Sequence, residues 1–215
     1  MLDVQPAQHS QMPENPALSA PRLELPRALK TLRSLIGRTP LVALELLYKD
    51  KPVTLYAKLE YYNLSGSIKD RMALEILTAA YESGDLRPGD MICEATSGNA
   101  GIAFSALGRA LGHPVRIYMP DWMSQERISL MKSYGAEVVL VSKEQGGFVG
   151  SIKMSEELAR SRNDVFLPCQ FANQHNCRAH MKGTGPEILS QMKSLSLRPD
   201  AFVAGVGTGG TVMGV

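Results

Sequence analysis

Three cysteines are few for a chain of 215 residues, and Cys93, Cys169 and Cys177 form no CxxC pair. An odd number excludes a closed disulfide framework and fits a reducing compartment, so a cytoplasmic setting is expected. No apolar run approaches the roughly 20 residues that a membrane-spanning helix requires, so no membrane partner is expected. Charge of one sign is not in excess: 23 basic against 21 acidic residues give a net charge of +2, which leaves no footprint for nucleic acid. A Walker A sequence, a GxSxG elbow and an HExxH pair are also missing, which narrows the field of chemistries. Cys169, His175, Cys177 and His180 match no familiar zinc spacing, and His175 and His180 lie off a shared helical face, so no metal is expected.

What remains is the composition of a globular protein, 44% hydrophobic and 20% charged. Residues 1–31 carry Pro6, Pro13, Pro16, Pro21 and Pro26 among Gln, Ala and Ser with little periodicity, and are expected to form a mobile tail. The tail has no apolar h-region, and Asp3, Glu14 and Glu24 argue against a transit peptide. From Leu32 onward, apolar runs alternate with helical patterns. Strands are expected at 41–47, 53–61, 91–95, 115–119, 137–142, 165–170 and 200–204. Helices are expected at 68–81, 102–111, 124–134, 147–162, 176–182 and 186–193. The alternation argues for an open, mainly parallel α/β sheet, in which ligands sit beyond the carboxyl ends of the strands. Three small-residue turns, at 65–67, 96–101 and 205–211, fall at such ends. The sequence stops about one turn into the helix that the last of them opens, so either the chain is a fragment or its last turn packs unusually.

Lys69 is the first chemical candidate. Ser67 with Asp70 reads as a capping pair that places Lys69 in the first helical turn. Free backbone N–H groups and the macrodipole disfavour a cation there and favour the neutral amine, which can attack a carbonyl to form a Schiff base. Read alone, Lys69 is more simply a surface lysine paired with a carboxylate one turn away. Gly205, Gly207 and Gly210 formally match a dinucleotide GxGxxG, but the acidic residue needed about 20 positions later has no place in the chain. The broader reading is a glycine turn whose N–H groups hold a phosphate, or a tight strand-to-helix turn with no ligand. Thr96-Ser97-Gly98-Asn99 offers hydroxyls and an amide besides backbone donors and suits a carboxylate, or is ordinary helix capping.

Together these turns resemble a known family. Ile36-Gly37-Arg38-Thr39-Pro40-Leu41-Val42, Ser65-Gly66-Ser67-Ile68-Lys69-Asp70-Arg71, Glu94-Ala95-Thr96-Ser97-Gly98-Asn99 and Gly205-Val206-Gly207-Thr208-Gly209-Gly210-Thr211 are similar to the pyridoxal-phosphate cysteine synthases and cystathionine β-synthases. Met119-Pro120-Asp121, Met123-Ser124-Gln125-Glu126-Arg127, Tyr134-Gly135-Ala136-Glu137 and Lys143-Glu144-Gln145-Gly146 resemble the cysteine synthase B branch more closely. The likeness runs from Leu32 to Val215.

The resemblance implies an α/β fold of type II, like the tryptophan synthase β chain, with two open parallel-sheet domains and its C-terminal part missing. The smaller domain would be residues 50–145, and the larger, incomplete one would be 32–49 with 146–215. Lys69 would hold pyridoxal 5'-phosphate and then take the substrate's Cα proton, and Asn99 would bond the cofactor's ring oxygen. Gly207, Thr208, Gly209, Gly210 and Thr211 would cradle the phosphate. Thr96, Ser97, Gly98 and Gln170 would grip the substrate carboxylate. The implied reaction is a β-replacement that makes L-cysteine from O-acetylserine or O-phosphoserine and sulfide or another thiol. Implied alternatives are cystathionine β-synthase, diaminopropionate synthase or serine/threonine dehydratase activity, or a non-catalytic paralogue that binds a partner peptide. A homodimer and the C-terminal peptide of serine acetyltransferase are the implied partners. Ala100 departs from the Thr that most members carry. The family's chain also continues well past the glycine loop, where it supplies a serine facing the pyridine nitrogen that has no counterpart here.

Overall fold

The computed structural model describes residues 26–215. Residues 1–25 of the expected tail lie outside the described residues. Arg27 to Lys30 already belong to helix α1 (Arg27–Ser34), because Leu29, Leu32 and Ile36 share one face and bury it. No helix among the described residues is long and apolar enough to cross a membrane.

Strands β1 (Leu41–Tyr48) and β2 (Lys51–Lys58) pair with each other antiparallel, not with the parallel sheet expected of them. The reason is the connection. Lys49 and Asp50 both take left-handed φ, +50° and +60°, the geometry of a two-residue type I′ turn, and a turn that short joins only antiparallel neighbours. The stretch expected to extend β2 to Tyr61 instead tightens into a 3₁₀ turn at Glu60–Tyr62.

The parallel sheet contains β3 (Met91–Ala95), β4 (Val115–Pro120), β5 (Glu137–Val141) and the short β6 (Val165–Phe166), in the order β5-β4-β3-β6. Ile92, Ile117 and Met119 point to one face. There they pack with Ile76 of α2 (Lys69–Ser83), Phe104 of α3 (Asn99–Ala110), and Ile128 and Met131 of α4 (Gln125–Ser133). Cys93, Tyr118 and Val141 point to the other face, where Met154 and Leu158 of α5 (Gly147–Ser161) cover them. Gly101 lets α3 lie close over the strand ends, since a Cβ there would meet Thr96 Cγ2 at 2.7 Å and Met131 Sδ at 2.8 Å. Helix α2, expected to be amphipathic, is buried on most of its circumference because α1 and α6 (Gln174–Ala179) flank it on the side away from α3. A π-turn at His180–Thr184 carries α6 into α7 (Gly185–Ser194).

Residues 200–204, expected as the last strand, are not a strand. Among the described residues nothing pairs with them, and Val203 is 90% exposed. The glycine loop follows and opens the five-residue helix α8 (Gly210–Gly214), which packs on α6 and the π-turn.

Candidate active site

The chain runs β3, β4, β5 toward one edge of the sheet, then returns to place β6 on the other side of β3. That reversal makes a crevice beyond the carboxyl ends of β3 and β6. The turn 96–98 lies on one side of it and Gln170 on the other. β6 hydrogen-bonds β3 only at Val165 and Phe166. Past that point the carboxylate of Glu94 replaces the ladder, one oxygen accepting from Ala95 N (3.0 Å) and the other from Gln170 N (3.2 Å). The Gln170 side-chain amide donates back to Ala95 O at 3.3 Å. Burial pushes the Glu94 carboxyl up to about 7, against the hydrogen bonds of Gln170, Ala95 and Cys169 N–H.

Within the turn, Thr96 is buried and its hydroxyl accepts from Gly98 N at 3.3 Å, while Ser97 and Asn99 are exposed. Arg127 of α4 donates to Ser97 O at 3.3 Å. Behind Glu94, a cavity of about 290 Å³ is lined by Phe148, Ile152, Leu167, Cys169 and Phe171.

Lys69 is the first residue of α2 and half-buried. Its N–H donates to Ser67 Oγ at 3.2 Å. The Asp70 carboxylate reaches back past Gly66 (φ +88°), accepting from Ser65 N–H at 2.6 Å and from the Ser65 hydroxyl, with a further backbone hydrogen bond from Ser67. Burial alone lowers the Lys69 ammonium below its usual range, and among the described residues no carboxylate offsets it. The acid near this helix is committed elsewhere. Arg71 forks onto Glu60 (2.7 Å) and Glu187 (2.7 Å), and Lys58 adds a 2.9 Å contact to Glu187. Burial opposes ionisation of Glu187, yet hydrogen bonds from Arg71, Arg38 and Lys58 hold it at about 2.

The glycine loop is held by α6 and the π-turn. Asn176 and His180, four residues apart, reach Thr208 and Thr211. Asn176 Nδ2 donates to Thr208 Oγ1 (2.8 Å) and to Gln170 O (2.9 Å). His180 Nε2 lies 3.3 Å from Thr211 Oγ1, and its Nδ1 lies 2.9 Å from Thr184 Oγ1. Burial first, and then the charges of Lys69 and Arg71, bring His180 down to about 4, so it is neutral at pH 7 and sits within the field of Lys69. Among the described residues no three His, Cys, Asp or Glu side chains converge as a metal site.

Hydrogen bonds therefore link part of the expected set. Thr208 reaches Gln170 through Asn176, Gln170 reaches the 96–98 turn through Glu94 and Ala95, and Thr211 reaches the Lys69 field through His180. Asn99 shares the turn without a recorded bond to the rest. Glu94 and Asn176 were not among the candidates, and His180 had been weighed only as a metal ligand.

A half-buried lysine at a helix N-terminus, a small-residue turn at the carboxyl end of β3 and a glycine loop before α8 are the features that the α/β scaffold presents. The family profile described as Pyridoxal-phosphate dependent enzyme matches residues 32–215, and the chain belongs to that family. It is 46% identical over 180 residues to a probable cysteine synthase of Bacillus subtilis, covering 84% of this chain and 58% of the relative. It is 43% identical over 187 residues to cysteine synthase B of Escherichia coli, covering 87% and 60%. Among solved structures, a hydrogen sulfide-producing enzyme from Fusobacterium nucleatum superposes with a TM-score of 0.83 at 56% identity, covering 86% of this chain and 56% of that one. The resemblance drawn from the motifs and the type II α/β fold are thus borne out. The chain spans about 60% of the length of the curated relatives it matches.

The residues fit the family's cofactor. A Cβ added at Gly205, Gly207 or Gly209 would meet nothing within 4 Å, so the backbone of the loop is open to an approaching phosphate, and Gly209 takes a left-handed φ of +81°. Thr208 and Thr211 supply hydroxyls, and Lys69 supplies an amine that has no carboxylate partner among the described residues.

Proposed function

We propose that this protein makes L-cysteine by β-replacement on an activated serine, O-acetylserine or O-phosphoserine, with sulfide or another thiol as nucleophile. The observation that carries the reading is Lys69: a half-buried amine at a helix N-terminus, lowered by burial, with no carboxylate partner and a phosphate-type loop nearby. Pyridoxal phosphate, when bound, supplies the electron sink that such a reaction needs. The 205–211 loop would hold it through N–H groups and the Thr208 and Thr211 hydroxyls, and Asn99 would add a hydrogen bond to it. Thr96, Ser97, Gly98 and Gln170 hold the substrate carboxylate. Lys69 Nζ, whose ammonium form burial disfavours, would accept the Cα proton of the substrate and return it.

A second reading is supported by the 56% identity with the Fusobacterium enzyme: the same residues would release hydrogen sulfide from a thiol-bearing amino acid. Cystathionine, diaminopropionate and dehydratase chemistry use the same Lys69 and loop, and Ala100 bears on that choice by removing a hydroxyl near the substrate. The homodimer, the serine acetyltransferase peptide, the cytoplasmic setting and the division into residues 50–145 and flanking segments belong to the same proposal and rest on the motif resemblance.

The test is a visible absorption spectrum of the chain with pyridoxal phosphate beside Lys69→Ala, followed by product analysis. A band that needs Lys69, shifts with O-acetylserine and yields cysteine when sulfide is added supports the β-replacement. Sulfide released from cysteine, with none consumed, supports the second reading. A folded chain with no Lys69-dependent band overturns both in favour of the non-catalytic, partner-binding paralogue.

A further inference from the structure

We propose that Asn176 is the positioning residue that aims the phosphate loop and ties it to the carboxylate-binding segment. This rests on the reading that residues 205–211 hold the cofactor phosphate. Asn176 is 5% exposed, and its amide orientation is fixed chemically: Gln170 O can only accept, so the atom 2.9 Å away must be Nδ2. The same Nδ2 group donates to Thr208 Oγ1 at 2.8 Å, and Gly210 N adds a second, longer donor to that oxygen at 3.4 Å. A hydroxyl has two acceptor sites and one proton. With both acceptor sites taken from inside, the Thr208 O–H is left to donate outward, which is what a phosphate oxygen requires. Gly210 is where α8 rests on this amide, since a Cβ there would overlap Asn176 Oδ1. One amide therefore sets the polarity of a phosphate-facing hydroxyl and the position of Gln170.

The experiment uses the full chain and compares two probes, pyridoxal phosphate and pyridoxal, which differ only in the phosphate. Binding is read from the emission of Trp122, the single tryptophan. The ratio of the two Kd values measures what the phosphate contributes. Asn176→Ala lowers that ratio about tenfold or more, while pyridoxal itself binds within about threefold of the parent protein. In a Thr208→Val background the same substitution lowers it no further. Asn176→Leu, which keeps close to the same shape and removes the donors without adding charge, gives the same loss and guards against a cavity artefact. In the parent protein the Asn176 side-chain amide resonances move on adding pyridoxal phosphate and stay in place with pyridoxal. Equal weakening of both probes, effects of Asn176 and Thr208 that simply add, or unmoved amide resonances would overturn the proposal. Cysteine formation is not part of the readout, so the β-replacement and the role of Asn176 stand or fall separately.

Discussion

At the scale of single residues, the site is built from groups held away from their ordinary protonation. Lys69 and His180 are pushed toward neutrality by burial, and Glu94 is pushed toward its protonated form by the same cause. Glu94 gives the sharpest test. Its carboxyl rises from the ordinary 4.5 to about 7 in the folded protein. Between those values the native state keeps a proton that the unfolded state has lost, so Glu94 lowers stability progressively as pH rises through that window. Glu94→Gln carries no such dependence. Its unfolding free energy relative to the parent protein should therefore rise between about pH 4.5 and 7 by about 3 kcal/mol and level off above. Urea unfolding of both proteins across that range checks it, and two parallel curves would show that Glu94 ionises as freely in the fold as outside it. His180 titrates in part of the same window but is common to both proteins, so it cancels in the difference.

Elements obey the same logic of local need and distant supply. Lys49 and Asp50 occupy left-handed positions that Asn and Gly fill at lower cost, so the pair Lys49→Asn and Asp50→Gly should stabilise the β1–β2 hairpin by about 1 kcal/mol. A melting temperature higher by about 3 °C in calorimetry is the expected sign. What was legible in the sequence here followed how far each feature depends on remote residues. The turn before Lys69, the 96–99 turn and the glycine loop are local patterns: spacing marks them as turns, and the motif resemblance gives them roles. The antiparallel hairpin was hidden because Lys-Asp is not the usual type I′ pair. Residues 200–204 have strand composition, but a strand exists only where a neighbour supplies the other half of its ladder. Glu94 and Asn176 were invisible for a related reason. Glu94 meets Gln170 across 76 residues of sequence, and Asn176 meets Thr208 across 32, contacts that neither periodicity nor propensity can announce.

Across the described residues, the parallel sheet and its helices form a dense core, while the proposed phosphate loop lies at the margin of it. Gly205, Val206 and Gly207 are exposed, and the loop is fastened mainly where Asn176 and His180 reach Thr208 and Thr211. Val203, Val206 and Met213 are 90%, 75% and 78% exposed in a chain that spans about 60% of the length of its curated relatives. A loop with so few fastenings opens more readily than the packed core. Ligand that engages only the ordered loop then stabilises the folded state by mass action, by about 2.7 kcal/mol at a hundredfold excess over Kd. For a chain of this size that corresponds to a rise of about 5–10 °C in melting temperature. Pyridoxal phosphate should produce that rise in the parent protein. The rise should shrink in Lys69→Ala, which loses the attachment through the amine, and nearly vanish when Thr208→Val is added, which removes the phosphate-facing hydroxyl. Calorimetry across a cofactor titration checks the order of the three proteins. Equal shifts in all of them would mean that the cofactor stabilises the fold from somewhere other than this site.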